Sequence, residues 1–365
     1  MKITLIAGAR PNFMKIAPII HEIERVAKKD KYIEYRLVHT GQHYDHTMSQ
    51  KFFDELNIPE PNRNLGAGGG TPAEQTGAIM IGFEKELSEF TPDLVIVVGD
   101  VTSTLACSIV AKKAGIKVAH VEAGIRSGDL SMPEEINRMV TDSISDYFFT
   151  TSHSANENLK LLGVPEEKIH FVGNTMIDTL LKNIDRLRKP DCFDLLKLEK
   201  GKYLVLTMHR PSNVDEETHF FNTLDAISEN SGGYPVVFPV HPRTEKVLND
   251  RKESYDSSII RFIEPLGYLE FNYLIKNSIG VITDSGGITE EATFLNIPCM
   301  TLRDNTERPE TVLEGTNELV GTNPTKIPEY LNRLVNGGWK TGKVPELWDG
   351  NTAFRIIDTL LTIER

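Results

Sequence analysis

KITLIAGARPNFMKIAPIIHEI, residues 2–23, sets the fold. Residues 2–7 form a short β-type run that ends at Gly8, and Ala9-Arg10-Pro11-Asn12 turns the chain. Ile16, Ile19, Ile20 and Ile23 then recur with the spacing of one helix face. Strand, turn and helix in this order open a doubly wound α/β domain. The turn is not a GxGxxG fingerprint and no Walker sequence occurs, which argues against NAD and ATP. Arg10 and Lys15 place two cations near the strand's carboxyl end. Such a pair could grip a phosphate with help from backbone N–H groups, or be solvated surface charge.

Outward from this unit the pattern repeats. Residues 35–39 read as a strand, followed by Thr40-Gly41-Gln42-His43. The Gly-rich segment 65–71 reads as a flexible connection, and Pro72 starts a helix towards Phe90. Residues 93–98 are nearly all apolar, as a central parallel strand covered on both faces must be, and they end at Gly99-Asp100. The next stretch, VAHVEAGIRSGDLSMPEEINR (residues 118–138), is a strand closing on Glu122. A polar loop follows, then a helix opened by Pro133 and carrying Glu134, Glu135 and Arg138. Strand ends form the ligand crevice of an open α/β sheet, so these carboxylates suit proton transfer. Glutamates in a first helical turn are also ordinary dipole chemistry. A strand at 146–150, a helix at 152–162 and a strand at 169–172 complete the half.

A helical connector at 177–187 precedes a second α/β alternation. Its expected strands are 203–207, 235–240, 259–263, 280–283 and 299–302, and its expected helices 216–228, 269–276, 288–295 and 327–335. The division expected is 1–173 and 174–351, with a tail helix from 352 packing back on the first domain. Two α/β halves on one chain imply a cleft between them.

The formal net charge of −12 argues against nonspecific nucleic-acid or anionic-membrane binding. Three scattered cysteines make no CxxC pair and read as reduced packing residues. No signal peptide and no membrane-spanning apolar run is seen, so a cytoplasmic protein is expected.

Three clusters of the second half carry chemistry. His209-Arg210 follows a strand and could bind phosphate or move a proton. Asp284-Ser285-Gly286-Gly287 joins a strand to a helix start, where bare N–H groups attract an anion, with Glu291 one turn later placed to accept ribose hydroxyls. Residues 303–310 bring Arg303 and Arg308.

Taken in order, Gly8-Ala9-Arg10-Pro11 with Lys15, Thr40-Gly41-Gln42-His43, Gly99-Asp100, His120-Val121-Glu122-Ala123-Gly124, Pro133-Glu134-Glu135-Ile136-Asn137-Arg138, His209-Arg210, Asp284-Ser285-Gly286-Gly287 and the segment 303–310 resemble the non-hydrolysing UDP-N-acetylglucosamine 2-epimerases over nearly the whole chain. The resemblance implies two Rossmann-like α/β domains of glycosyltransferase-B architecture facing an interdomain cleft, and a homodimer. It implies no cofactor and no metal, and a UDP-sugar as the only partner beyond a second copy. The implied reaction is reversible C2 epimerisation through 2-acetamidoglucal and UDP, supplying N-acetylmannosamine units for surface polysaccharides. Residue by residue it makes Asp100, Glu122, Glu134 and His209 catalytic. It assigns substrate binding to Arg10, Lys15, Arg138, Leu266, Phe271, Ser285, Gly286, Gly287, Glu291 and Arg308. A regulatory site for a second UDP-sugar would use Gln42, His43, Glu135, Arg210 and His241. This chain departs from the family at Gly68-Gly69-Gly70, where some members carry a basic residue, and at Pro211-Ser212 after His209-Arg210. A sister epimerase acting on a UDP-diacetamido-glucuronate and a glycosyltransferase of the same architecture are the alternatives.

Overall fold

The computed structural model describes residues 1–28, 33–41, 53–248, 255 and 258–363, with the Arg10 side chain outside that description. The chain divides into two compact units, Met1–Lys182 with Glu346–Arg365, and Asn183–Pro345.

In unit 1 the strands are β1 (Lys2–Ala7), β2 (Glu34–His39), β3 (Arg63–Asn64), β4 (Leu94–Val98), β5 (Lys117–Val121), β6 (Tyr147–Thr150) and β7 (Ile169–Phe171). They form one parallel sheet in the order β3-β2-β1-β4-β5-β6-β7. The order reverses between β1 and β4, which is the switch point where such sheets bind ligands. All five residues of β4 are buried, each worth about 1.5–3 kcal/mol when an aliphatic side chain leaves water. The helices are α1 (Arg10–Ala27), α2 (Pro72–Glu89), α3 (Thr102–Lys113), α4 (Pro133–Ile144), α5 (His153–Leu161) and α6 (Thr175–Asn183).

Helix α1 runs straight through Pro18. Proline has no N–H, so the carbonyl four residues earlier loses its helical donor. That carbonyl, on Met14, accepts instead from the Thr179 hydroxyl at 2.6 Å, which fastens α6 to α1. The compact unit 1 runs on to Lys182.

Unit 2 carries β8 (Leu204–Thr207), β9 (Val236–Pro239), β10 (Ile260–Ile263), β11 (Gly280–Thr283), β12 (Cys299–Thr301) and β13 (Asn317–Leu319). They make a second parallel sheet in the order β10-β9-β8-β11-β12-β13, with its switch point between β8 and β11. Its helices are α7 (Asp191–Leu195), α8 (Pro211–Val214), α9 (Glu217–Asn230), α10 (Pro242–Leu248), α11 (Tyr268–Lys276), α12 (Gly286–Phe294), α13 (Pro309–Leu313) and α14 (Ile327–Val335). The chain then re-enters unit 1 from Glu346, ahead of the expected 352, and ends in α15 (Thr352–Ile363). Asp178 accepts from the Thr352 and Ala353 amides at 3.1 and 2.8 Å, capping α15. Ile356, Ile357 and Leu360 are buried, and α15 packs on α1.

The parallel α/β reading holds in both units. Two differences are edge strands that the sequence does not announce. β3 and β13 are two and three residues long, too short to show an alternating pattern. A third is the Gly-rich segment, which is seated on the end of β2. Ala67 N donates to Thr40 O at 2.8 Å, and a Cβ on Gly68 would lie 2.6 Å from the Gly41 carbonyl oxygen. Among the described residues no helix is long and apolar enough to cross a membrane.

Candidate active site

Each unit gathers expected residues at the carboxyl ends of its central strands. In unit 1, β4 delivers Asp100 and β5, its direct neighbour, delivers Glu122. Glu122 is buried and its backbone is left-handed, with φ +69°, a conformation that costs a non-glycine residue about 1–2 kcal/mol. Its Oε2 accepts from Lys15 Nζ at 2.7 Å. Gly99, φ +67°, leaves space for this pair, since a Cβ there would come within 3.0 Å of Lys15 Nζ.

Asp100 is held from α4. Arg138 donates to its Oδ2 from Nε at 3.0 Å and from Nη2 at 2.5 Å, and Asn137 Nδ2 donates to its backbone carbonyl at 2.8 Å. Arg138 also pairs with Glu135 Oε2 at 2.6 Å. Glu135 accepts from the Ser127 and Gly128 amides, both at 3.0 Å. Burial pushes this carboxyl up, but the amides and Arg138 outweigh it and leave it below the usual range. Glu135 thus braces the loop before α4. Glu134, one residue earlier, is half-buried and makes no hydrogen bond or ion pair among the described residues. So Asp100, Glu122, Arg138 and Lys15 converge on adjacent strand ends, and Glu134 stands on the helix that braces them.

The β1–α1 turn differs from expectation. Asn12 Oδ1 accepts from the Gly8 and Ala9 amides at 3.2 and 2.9 Å, so these N–H groups are already taken. Asn12 Nδ2 donates to Val98 O at 3.0 Å, tying the turn to the end of β4.

In unit 2, His209 leaves β8 and Asp284 leaves the adjacent β11. Asp284 is fully buried. Its Oδ1 lies 2.9 Å from His209 Nδ1, and its Oδ2 accepts from the His209 and Arg210 amides at 2.9 and 2.8 Å. Burial opposes ionisation, yet His209 and the two amides lower the carboxyl to about 2. An ionised Asp284 fixes the orientation of the imidazole through Nδ1. Arg210 Nε donates to the Asp284 carbonyl at 2.9 Å, and His241 stacks obliquely on His209 with ring centroids 5.6 Å apart.

Ser285 stands at the N-cap position of α12 without a side-chain capping bond, and Gly286 faces the Glu307 carboxylate, which Arg303 neutralises at 2.6 Å. Arg308 Nε pairs with Glu290 at 2.5 Å, both side chains buried. Glu291 is buried against Tyr268 and Asn272, and burial raises it to about 7. Leu266 and Phe271 are partly buried against the core around Tyr203 and Val205. Gln42 and His43 lie outside the described residues. Among the described residues no group of three or more His, Cys, Asp or Glu could hold a metal ion.

Asn12 and Asp142 do not stand out in the sequence, and Asp284 does so only within its cluster. The signal that makes Asp284 a partner for His209 is the adjacency of β8 and β11, a property of the sheet order.

The chain as a whole resembles known proteins. The profile of the UDP-N-acetylglucosamine 2-epimerase family matches residues 25–361. A UDP-N-acetylglucosamine 2-epimerase of Methanocaldococcus jannaschii is 44% identical over 353 residues, 93% of this chain and 94% of that protein. A UDP-2,3-diacetamido-2,3-dideoxy-D-glucuronate 2-epimerase of Pseudomonas aeruginosa is 38% identical over 360 residues, 95% of this chain and 99% of that protein. The crystal structure of the M. jannaschii UDP-GlcNAc 2-epimerase in complex with UDP-GlcNAc and UDP superposes with a TM-score of 0.89 at 42% identity, covering 99% of this chain and 100% of that one.

Proposed function

The chain belongs to the UDP-N-acetylglucosamine 2-epimerase family, and from that premise we propose that it interconverts UDP-N-acetylglucosamine and UDP-N-acetylmannosamine by eliminating and re-adding UDP. The proton on C2 of the sugar is not acidified by a carbonyl. Loss of UDP from C1 creates oxocarbenium character that makes it removable. The C1–O bond breaks with its electron pair leaving on the diphosphate, a carboxylate takes the C2 proton, and a C1–C2 double bond forms. The products, 2-acetamidoglucal and UDP, stay bound. UDP then re-adds at C1 while a proton returns to the opposite face of C2. Atoms and electrons balance without an oxidant or a co-reactant.

The observation that carries this reading is the pairing of Asp100 and Glu122 on adjacent strand ends, one on Arg138 and the other on Lys15. Two carboxylates with separate cationic partners can be tuned apart, as acid/base work on two faces requires. Glu134 is the third candidate. His209, fixed by Asp284, with Arg10, Arg308 and the Ser285-Gly286-Gly287 turn, would stabilise the departing diphosphate. Leu266, Phe271 and Glu291 would take the uridine. Gln42, His43, Glu135, Arg210 and His241 are candidates for a second, regulatory UDP-sugar. A cytoplasmic homodimer and a role in polysaccharide precursor supply complete the proposal.

Proton NMR of UDP-N-acetylglucosamine with the protein in heavy water tests it. Deuterium at C2 and a growing manno signal are expected, and a spectrum that stays unchanged overnight would refute it. The 38% identity to the diacetamido-glucuronate epimerase favours a second reading, the same chemistry on that sugar. Running both sugar nucleotides in the same assay separates the two.

A further inference from the structure

Behind Asp100 and Glu122 lies a buried His–Asp contact that the proposed reaction does not use. His120, on β5, is fully buried, as is the Asp142 side chain on α4. His120 Nδ1 is 2.7 Å from Asp142 Oδ1, and Nε2 is 2.8 Å from the Gly99 carbonyl oxygen. The ring thus bridges a carboxylate on α4 and the backbone at the end of β4. The other Asp142 oxygen accepts from the Gly124 amide at 3.1 Å and pairs with Arg126 at 2.7 Å. Burial raises this carboxyl, but His120 and Arg126 outweigh it and keep it below its ordinary value.

The placement is specific. Asp142 grips the chain two residues before Glu122, through the His120 ring, and two residues after it, through Gly124 N–H. A left-handed non-glycine residue persists only where its surroundings over-determine it, and this clamp supplies that constraint for Glu122. The same ring holds the carbonyl immediately before Asp100.

We infer that the His120–Asp142 pair is a positioning device that locks the end of β4 to the end of β5 and so sets the distance between the Asp100 and Glu122 carboxylates. Neither residue touches the reacting atoms. The catalytic half of this inference rests on the proposed epimerisation; the locking of the two strand ends does not.

The test uses the full chain with His120→Asn, His120→Gln and Asp142→Asn. Asn places its amide near Nδ1 and keeps the Asp142 tie while releasing Gly99; Gln reaches the Nε2 position and does the reverse. Each is expected to lower kcat about 10–100-fold, the order seen when reacting groups shift by an ångström. KM and UDP affinity should hold within about threefold, since transition-state contacts alone are lost. His120→Asn with Asp142→Asn should be no worse than the poorer single variant. Amide hydrogen exchange read by mass spectrometry should show peptides around Gly99 and around Gly124 losing protection together in Asp142→Asn.

Wild-type kcat in a folded variant, a loss carried entirely by KM, or loosening at one segment alone overturns the inference. If no variant folds, the wild-type protein decides, because locked strand ends require the Gly99 and Gly124 amides to exchange at matching rates. If the wild-type protein leaves both sugar nucleotides untouched, the reaction reading fails and the exchange data still judge the lock.

Discussion

Asp284 does in unit 2 what no single exposed residue could. One carboxylate orients the His209 ring and ties down the His209 and Arg210 amides. Asp284→Asn keeps the shape but exchanges an acceptor for a donor at one of these positions. We expect kcat to fall about 10²-fold or more, in the range of other misoriented general acid/base groups, with unit 2 still folded by near-ultraviolet dichroism. In unit 1, Asp100→Asn or Glu122→Gln should abolish deuterium incorporation at C2 while UDP affinity by calorimetry stays within about tenfold, because the proposed reaction uses these carboxylates in the transition state. The acidic and basic residues at strand ends were legible in the sequence as residue types at particular offsets. Their partners were not. Asn12, Asp142 and Asp284 reach across strands that are neighbours only once the sheet order is known.

At the scale of elements, the helix at 10–27 illustrates how a local rule is overridden. Pro18 argues for a break, yet α1 continues because Thr179 serves the stranded Met14 carbonyl. Thr179→Val removes the donor with little change in volume. A fully buried carbonyl left without a partner costs about 1–3 kcal/mol; this one is only part-buried, so a loss towards the lower end and a lower urea midpoint for unit 1 are expected, with unit 2 unchanged. Pro18→Ala restores the helical N–H and should suppress that loss in the double variant. Central strands such as β4 were readable from their apolar runs. The edges β3 and β13 were not, since their pairing comes from neighbouring strands.

At the scale of the whole molecule, the acidity of buried carboxyls sets the response to pH. Glu291 and Glu310 are each raised by burial from 4.5 to about 7. Such a group favours folding fully below pH 4.5, where both states are protonated, and that contribution fades as pH climbs to about 7 and the unfolded chain alone ionises. Each loses up to about 3 kcal/mol across this interval. Asp284, lowered to about 2, behaves in the opposite sense: its contribution is present above 3.8 and falls away only towards pH 2. Calorimetric Tm should therefore rise as buffer pH is taken from 8 to 5.5. Among the described residues the two Glu310 carboxyl oxygens are buried without a hydrogen-bond partner, so Glu310→Gln should raise Tm at pH 8 and flatten the profile; an unaltered slope would remove Glu310 from the account.

The return of residues 346–363 to unit 1, capped there by Asp178, also orders events on the ribosome. Every residue of unit 2 is synthesised before the segment that covers the outer face of α1 emerges. The nascent first sheet must wait with that face bare while an entire second unit is made, and chaperone demand should peak in that interval. A message truncated after codon 345 would yield an intact unit 2 tethered to an unfinished partner.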